Sequence, residues 1–547
     1  MKRTKNKFYL LAVLLFFAVI MVAGCSSDKD TSSENEDTDV DNTDTDADSD
    51  DDSENNAEVT SEGGDLRVAF YQRPPALDPH VSTSAANNMI TRHIFEGLMA
   101  PNESGQPVPM LAESVDVSDD GLTYTFNLRQ GVTFHNGSPL TSEDVVASME
   151  RWLEYNSSIS LVYEGSTWTA EDDQTVLLQL EKPTIGVLDT MSAVLQAPVI
   201  MPKEVIDNAD ASGVSEFIGT GPFKFEEWLT DQHVHISKFD DYQPVDIEPS
   251  GLSGKKEALV DNIFFEFVTD ASTRVAGITS GDYDVAYSIP YDNYDQMEAN
   301  ENINSLIALG SPQFLIFNKK NELFSDQKLR QAVATALNVE EILLAGYVNE
   351  DFYELDHGYM SKHTDWYSEA GLEHYNQNDL DKARELLEES SYDGEEFTML
   401  TSSDVPTNYS AAVVIQEQMK QIGVNVKLGD YDWATVSELR EDPTEWGFYV
   451  NSAAEVNIPA QVLVLGTGMG WGSADDEHLV DLHERILSAA SDEEAKELWA
   501  ELQEYAWSEY MPAVKTGNTY SLNAARDNVE GITLYQSLVL WNTSKKE

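Results

Sequence analysis

Residues 124–145 read YTFNLRQGVTFHNGSPLTSEDV, and this stretch decides the predicted fold. Its first five residues alternate apolar and polar side chains, which predicts a strand with one buried face. Gly131 and Gly137 follow, and glycine tolerates the backbone angles of tight turns. Thr141 precedes a serine and two acidic residues, a pattern that predicts a helix with Thr141 as its N-cap and acids in its first turn. A strand, tight turns and a helix are therefore expected in succession.

Strand and helix patterns continue to alternate on both sides of this stretch, without a repeat period. The predicted strands lie at 63–70, 175–180, 233–238, 262–268 and 424–428. The predicted helices lie at 87–99, from 142 onward, at 326–345, 380–389 and 409–422, and in two pieces within 477–510. This alternation places the chain in the α/β class.

Cys25 is the only cysteine among the 547 residues, and it follows a pattern typical of an export signal. Four cations precede an unbroken apolar run from Phe8 to Val22, which is shorter than the roughly 20 residues of a membrane span. The ending Val-Ala-Gly-Cys resembles the lipobox of bacterial lipoproteins, in which the chain is cut before a cysteine that carries the lipid. We expect residues 1–24 to be a signal peptide and Cys25 to be lipidated, with an uncut signal anchor as the alternative. Either outcome places the rest of the chain outside the cytoplasm at a membrane surface.

Residues 25–62 are predicted to form a disordered acidic tether. Residues 26–62 hold sixteen acidic residues, one lysine and almost no sizeable apolar side chain, so they cannot bury enough surface to offset the entropy of ordering. Like charges also extend such a segment. Calcium binding by the alternating aspartates is the functional alternative, but the EF-hand spacing is absent. The spacer interpretation is therefore favoured.

The remaining chain, residues 63–547, carries a formal charge of −54, so the acidity is also a property of the part expected to fold. Such a surface repels nucleic acid and anionic lipid, and it repels itself at low salt. Concentrated salt screens charges over a few ångström, so a halophilic host would explain the composition. The absence of a second cysteine excludes an internal disulfide, although exported proteins usually meet an oxidising environment.

The stretch at 124–145 resembles the signature of family 5 solute-binding proteins, the extracytoplasmic receptors of peptide and nickel ABC importers. Further motifs resemble the same family in the same order along the chain. They are Leu77–Pro79, Ile94–Leu98, Gly219–Phe223, Ala276–Val285, Phe317–Asn318, Leu329–Ala332, Lys382–Leu387 and Gln418–Val424. The resemblance covers residues 63–547. Most of these residues are expected to be structural, with Gly219 and Gly221 at tight turns.

The resemblance implies an α/β, bilobal periplasmic-binding-protein-like fold with an extra third region. Region I would be discontinuous, at 63–97, 199–309 and 512–547. Region II would span 98–198, and region III would span 310–511. Regions I and III would form two lobes joined by two strands, with the ligand in a cleft that closes by a hinge motion.

Peptide-binding members of the family hold the amino terminus of the ligand with an aspartate of region III, in a segment that also contains a tryptophan. The corresponding stretch here runs from Trp446 to Pro459 and lacks these aspartates. Glu455 is the nearest carboxylate, displaced along the chain and one methylene longer. A buried ammonium needs a carboxylate partner to offset its desolvation. Glu455 is therefore a candidate ligand-binding residue, with an ordinary exposed acid as the alternative.

Seven further residues are candidates for ligand binding: Tyr71, Arg73, Phe317, Asn318, Trp433, Trp446 and Trp471. The three tryptophans could line a peptide cleft or stack on sugar rings, and core packing is the alternative for each. Trp471 is the favoured cleft candidate, because the glycines around it make the segment too flexible for a core strand. The resemblance places the backbone of the segment around Phe314–Asn318 at the cleft wall of region III, and Tyr71 and Arg73 in a loop that faces the cleft from region I.

The predicted function is capture of short peptides for an ABC importer, with a permease and an ATPase as partners. An oligosaccharide or a metal chelate is an alternative ligand, and a peptide-signal receptor is an alternative role. The histidines are scattered and none lies between Trp446 and Trp471, so no metal and no cofactor is expected. The chain has no Gly-x-Ser-x-Gly, Walker A or His-Glu-x-x-His motif, so an enzyme is not expected. A monomer is expected.

Overall fold

The computed structural model describes residues 63–546, except 157, 158, 160, 443 and 467–475. The predicted signal peptide, Cys25, the acidic tether and Trp471 lie outside the described residues. Among the helices that are described, none combines the length and the hydropathy needed to cross a membrane.

The strands alternate with helices along the chain, as the sequence predicts. In chain order they are β1 (Asp65–Phe70), β2 (Met99–Pro101), β3 (Pro107–Pro109), β4 (Ala112–Val117), β5 (Thr123–Leu128), β6 (Thr167–Asp172), β7 (Thr175–Gln179), β8 (Phe223–Leu229), β9 (His233–Lys238), β10 (Asn262–Phe267), β11 (Val285–Ala286), β12 (Ile303–Leu309), β13 (Gln313–Phe317), β14 (Tyr353–Glu354), β15 (Phe397–Thr401), β16 (Val426–Asp430), β17 (Phe448–Ser452), β18 (Ala513–Arg526), β19 (Val529–Glu530), β20 (Thr533–Leu534), β21 (Leu538–Val539) and β22 (Ser544–Lys545).

The α-helices lie between these strands. They are α1 (Ala85–Thr91), α2 (Ser142–Tyr155), α3 (Val187–Thr190), α4 (Lys203–Asp207), α5 (Ala271–Ser280), α6 (Tyr294–Glu298), α7 (Gln327–Ala336), α8 (Val339–Tyr347), α9 (Leu380–Glu389), α10 (Pro406–Ile422), α11 (Trp433–Leu439), α12 (Glu477–Leu487) and α13 (Asp492–Tyr505). Short 3-10 helices lie at Tyr291–Asn293, Glu350–Phe352, Leu372–His374, Pro459–Gln461 and Leu463–Leu465, and a π-helical turn follows α13 at Ala506–Tyr510.

Within the described residues the largest sheet joins twelve strands. Its order is β16-β15-β17-β13-β18-β11-β1-β10-β9-β8, and β12 and β14 also pair with β18. Four neighbouring strands of this sheet, β16, β15, β17 and β13, belong to one hydrophobic core. Four others, β1, β10, β9 and β8, belong mainly to a second core around Phe70, Phe265 and Trp541. We call the half that contains β1 the first lobe and the half that contains β13 the second lobe. The chain therefore has the bilobal α/β fold that was expected.

β18 connects the two lobes. Its first half pairs with β13 and its second half pairs with β12. β12 leads into β13 through 310–312, and Gly310 N donates to Thr519 O of β18 at 2.7 Å. Two neighbouring antiparallel strands therefore pass from one lobe to the other, which is the arrangement expected for a hinge.

A separate antiparallel sheet, ordered β4-β5-β7-β6, contains the strand predicted from the stretch at 124–145. α2 packs beside it and begins as predicted, because Thr141 N and Oγ1 both donate to Asp144 Oδ2, at 2.9 and 2.7 Å. Trp152 of α2 is fully buried in the same core. This sheet lies within the span assigned to region II, and the division into three regions stays a prediction.

The glycines of the recognised motifs serve two different purposes. The two in the stretch at 124–145 adopt left-handed φ angles of +80° and +82°, as tight turns require. Gly219 and Gly221 do not have such angles. A Cβ on Gly219 would collide with Ile94 O, and a Cβ on Gly221 would lie 2.6 Å from His93 O. Gly219 and Gly221 are therefore explained by the close approach of two backbone segments and not by a need for left-handed φ angles. This corrects the expectation that they lie at tight turns.

Two predicted helices are shorter in the structure. The helix predicted at 87–99 is α1, which ends early because His93 O accepts a hydrogen bond from Phe223 N, at 3.1 Å, instead of continuing a helical ladder. The helix predicted at 326–345 is divided into α7 and α8, because Asn338 caps a new helix. An amide side chain in that position offers the backbone an alternative to the helical bond.

Candidate functional site

Glu455 lies beside the hinge, in the segment that follows β17. Ala453 N donates to Pro312 O at 2.9 Å, and this bond holds the segment against the connection between β12 and β13. The Glu455 side chain is partly buried, and its Oε2 atom is fully buried without a hydrogen-bond partner among the described residues. Buried polar atoms in native proteins normally have a partner, so an unpaired one calls for an explanation.

The electrostatic surroundings of Glu455 are mixed. Burial raises the pKa of Glu455 above its usual value. The positive charge of Lys515, a hydrogen bond from Ser361 and the positive charge of His363 oppose the rise, because each favours the carboxylate. Asp356 adds to the rise as a neighbouring negative charge. The carboxylate is therefore poorly solvated, and a cation placed against it would be favoured.

Lys515 is not that cation, because it is already engaged. It is fully buried in β18, where Nζ donates to Asp356 Oδ2 at 2.9 Å and to Gly358 O at 2.6 Å. Asn518 Nδ2 also donates to Asp356 Oδ2, at 2.8 Å. Burial alone would raise the pKa of Asp356, but the Lys515 charge and these hydrogen bonds outweigh burial and lower it. Lys515 and Asp356 thus compensate each other at contact distance, whereas Glu455 makes no ion pair within contact distance among the described residues.

A cavity of about 50 Å³ adjoins Glu455. Its other walls are mainly apolar and include Phe314, Tyr359, Val462 and Leu463. A buried water occupies at least about 10–15 Å³ by this kind of measure, so the cavity holds a few waters or a group as small as an ammonium. The site can therefore bind a small positively charged group between a carboxylate and an apolar surface.

Two tyrosines of the first lobe pack around Phe70, and a third, Tyr535, interacts electrostatically with Glu455. Tyr71 is partly buried, and its ring lies 5.3 Å from that of Phe70, which in turn contacts Tyr287 at 5.0 Å. Burial raises the pKa of Tyr535 to about 12, Arg92 lowers it, and the negative charge of Glu455 raises it. The Tyr535 phenol therefore lies within electrostatic range of the Glu455 carboxylate.

Comparison with known proteins places this geometry in a family. The family model described as "Bacterial extracellular solute-binding proteins, family 5 Middle" matches residues 106–465. The chain belongs to this family. A probable peptide ABC transporter periplasmic-binding protein of Sinorhizobium fredii is 27% identical over 496 residues, which cover 86% of this chain and 91% of the relative. The resemblance of the sequence motifs is thereby confirmed.

Two solved structures show the same fold. The ABC transporter substrate-binding protein CtaP of Listeria monocytogenes gives a TM-score of 0.76 at 23% identity, and the match covers 86% of this chain and 95% of that chain. The oligopeptide-binding protein AppA of Bacillus subtilis, solved in complex with a nonapeptide, gives a TM-score of 0.71 at 23% identity, with 89% and 100% covered. The bilobal fold of this family 5 protein is thus shared with binding proteins of ABC transporters.

Three of the predicted ligand-binding residues are buried in the second lobe. Phe317 is 0% exposed and Trp446 is 1% exposed. Trp446 Nε1 donates to Arg440 O at 3.2 Å, and Asn318 Nδ2 donates to Trp446 O at 2.8 Å. Their side chains therefore pack within the lobe, which for Trp446 is the core-packing alternative, and the part of these three residues in ligand binding stays a prediction.

Two other predicted residues have more exposed positions. Arg73 is exposed and lies 3.6 Å from Asp231 in an ion pair at the surface of the first lobe. Trp433 begins α11, is partly buried, and packs against the core of the second lobe. Among the predicted residues, the structure places Glu455 beside the hinge and Tyr71 against Phe70 in the first lobe, and their part in binding stays a prediction.

Several residues at the site were missed by sequence reasoning. Asp356 and Lys515 are 159 positions apart, and Arg92 and Tyr535 are 443 apart, so no local pattern could pair them. One signal was available. Lys515 interrupts a run of small and apolar residues that otherwise reads as a buried strand, and a lysine in such a place is rarely left unpaired.

The segment around α3 contacts the second lobe directly. Ile185 N donates to Leu487 O at 2.9 Å. Asn457 Nδ2 donates to Asp189 O at 3.2 Å and to Ser192 Oγ at 3.1 Å. These bonds join parts of the chain that lie on opposite sides of the hinge in sequence, so they stabilise the arrangement in which the two sides are close.

One group of described residues has the spacing of a metal site. Glu373 and His374 of the 3-10 helix at Leu372–His374 and Glu504 of α13 each offer a ligand atom, all within 4.8 Å of one another. His374 Nε2 lies 3.7 Å from Glu504 Oε1. An ion pair at the surface accounts for this contact, and the group is not part of the hinge site described above.

Proposed function

We propose that this family 5 protein captures short peptides between its two lobes and delivers them to the permease of an ABC importer, without changing them chemically. The similar protein of Sinorhizobium fredii is named for peptide transport, and AppA was solved with a nonapeptide. The protein would act as a monomer, held at the outer face of the cell membrane by a lipid on Cys25. No cofactor or metal takes part in the proposed function.

The observation that carries the proposal is the unpaired carboxylate oxygen of Glu455. It lies at the wall of a small cavity beside the hinge, and the nearest buried lysine is already paired. An uncompensated buried charge is costly, and a ligand ammonium would remove that cost. The free amino terminus of a peptide supplies such a group, with its first side chain facing the apolar wall.

Calorimetric titration of residues 63–547 with pools of short peptides tests this proposal. We expect heat of binding from the wild type and an affinity weaker by about 2–5 kcal/mol for Glu455→Gln, as for truncation of one partner in a buried charge pair. Glu385→Gln, at an exposed position of α9, is the matched control and should bind as the wild type does. Heat from oligosaccharides but none from peptides would refute the proposal.

The lipid anchor needs a separate test, because Cys25 lies outside the described residues. Cys25→Ala in the full chain should release the protein into the medium or leave the signal uncut. The distribution between membrane and medium is measured by fractionation and immunoblotting. A variant that is still cut and still bound to the membrane would contradict the lipoprotein interpretation.

A further inference from the structure

The segment 185–192, which contains α3, is anchored to the first lobe. Val194 and Ala197, which follow it, pack against the hydrophobic core of that lobe. Ile200 N then donates to Glu96 O at 2.8 Å. The segment therefore belongs with the first lobe, although its hydrogen bonds described above reach the second lobe.

The side chain of Asn457, in the second lobe, uses both of its amide N–H groups on this segment. Its Nδ2 donates to Asp189 O at 3.2 Å and to Ser192 Oγ at 3.1 Å. Ser192 is 1% exposed, and its hydroxyl donates to Asp189 O at 2.7 Å. Because a backbone carbonyl can only accept, the orientation of the amide and the direction of each bond are fixed. The contact is therefore a complementary set of donors and acceptors.

The two sides also fit closely at the other end of the segment. Ile185 N donates at 2.9 Å to the carbonyl of Leu487, the last residue of α12. The final carbonyls of a helix have no partner within the helix, so this bond satisfies one of them. Gly186 leaves no room for a side chain, because a Cβ there would lie 2.9 Å from Ile458 Cδ1. The segment 185–192 is thus matched to the second lobe in shape as well as in hydrogen bonding.

The cavity beside Glu455 shares its wall with this contact. Glu455, Val456 and Gln461 line the cavity, and Asn457 and Ile458 lie between them in the chain. Gln461 Oε1 accepts a hydrogen bond from Asn457 N at 3.2 Å, so a residue of the cavity wall holds the residue that makes the contact. A group that enters the cavity therefore acts on the loop that carries Asn457.

We propose that Asn457 is a positioning residue for peptide capture, and that its bonds to the segment 185–192 form a latch that closes when a peptide occupies the cavity beside Glu455. The proposal rests on the proposed function. A rotation about the hinge strands β12 and β18 separates the segment from Asn457 and breaks the latch. A peptide that fixes the loop 455–461 favours the latched arrangement, because peptide and latch hold the same loop. Asn457 thus tightens binding through the loop, without touching the peptide.

The first test is calorimetry with a pool of tripeptides on the full chain carrying Asn457→Ala, Ser192→Ala or both. Asn457→Ala should bind the pool about tenfold more weakly, as the loss of two hydrogen bonds implies. The double variant should bind no more weakly than Asn457→Ala, because both changes remove the same contact. Asn425→Ala should bind as the wild type does. It is the matched control, since Asn425 Nδ2 also donates to a backbone carbonyl, Gly394 O at 2.8 Å, but within the second lobe.

Hydrogen exchange read by mass spectrometry reports the latch itself, because Ile185 N donates across the contact. In the wild type and in Asn425→Ala, the tripeptide pool should slow exchange at 185–192 at least about threefold. In Asn457→Ala this slowing should be lost. Without peptide, the melting temperatures of Asn457→Ala and the wild type should agree, because the latch is open in both. Ser192→Ala is the smaller change and tests the latch in the same way if Asn457→Ala does not fold.

Three outcomes would overturn the proposal. A lower melting temperature of Asn457→Ala without peptide, together with unchanged affinity, would show that Asn457 only stabilises the folded chain. Exchange at 185–192 that is equally slow with and without the pool would show a permanent contact, and peptide capture would stand. A wild-type protein that gives no heat with the tripeptide pool or with any other short peptide would overturn peptide capture and the latch together.

Discussion

Asp189 gives the sharpest prediction about pH, because it is partly buried among other acids in the folded chain. Burial raises its pKa from 3.8 to about 6, and the negative charges of Asp492 and Asp365 add to the rise. A hydrogen bond from the backbone of Asp189 and the positive charge of Lys496 oppose the rise without offsetting it. Asp492 begins α13 and Asp365 lies in the second lobe, whereas Asp189 belongs to α3.

The shift of about two pH units corresponds to about 3 kcal/mol of unfavourable free energy for the ionised form. Between pH 4 and 6 the folded chain retains a proton on Asp189 that the unfolded chain has released. The free energy of unfolding should therefore fall as the pH rises through this window. Above pH 6 the full cost is present, and below pH 4 it is absent.

The perturbation is Asp189→Asn, which removes the charge at nearly constant size and leaves the backbone carbonyl that Asn457 uses. At pH 8 the variant should be more stable than the wild type by up to about 3 kcal/mol, and at pH 4 the two should be equal. Denaturant unfolding followed by fluorescence at several pH values measures the difference. Asp119→Asn, at an exposed position, is the control and should show no such pH dependence. A stability difference that is the same at pH 4 and pH 8 would refute the reasoning.

Three further predictions concern stability. Lys515→Met should destabilise the protein by about 3–5 kcal/mol, because it leaves Asp356 buried without its positive partner. The double variant Lys515→Met with Asp356→Leu should recover most of this loss. A double variant that recovers none of the lost stability would contradict the pairing. Trp499→Ala should lower the free energy of unfolding by about 3–5 kcal/mol without weakening peptide binding, because Trp499 is buried in α13. Denaturant unfolding measures the loss. Weakened binding with unchanged stability would contradict the structural role of Trp499. The melting temperature should rise as the sodium chloride concentration increases from millimolar to molar, because salt screens the repulsion within residues 63–547, which carry a formal charge of −54. A melting temperature that falls instead would show that the acids are locally compensated.

Local rules in the sequence were sufficient for much of the fold. The strand and capped helix of the stretch at 124–145 are present because alternation, glycine and the Thr141–Asp144 pair act over a few residues. The helix boundaries failed where a distant backbone intervened, as at His93, whose carbonyl accepts from Phe223. Such partners lie more than a hundred positions away and leave no local periodicity.

The candidate site was only partly predictable for the same reason. Glu455 could be found by its place relative to Trp446 and Pro459. The lack of an ion-pair partner for Glu455 could not be predicted from the sequence, because it depends on the pairing of Lys515 with Asp356 in the folded chain. The compensation of one buried charge by another is a property of the folded chain, and it decides which carboxylate is left for a ligand.

The central claim is that the protein captures short peptides and holds their amino terminus at Glu455. Mass spectrometry of small molecules released by denaturing the protein purified from its native host, without added ligand, tests this most directly. The account predicts short peptides with free amino termini, and their amount should fall strongly in Glu455→Gln. Release of an oligosaccharide or a metal chelate in place of peptides, at the same level from both proteins, would contradict it.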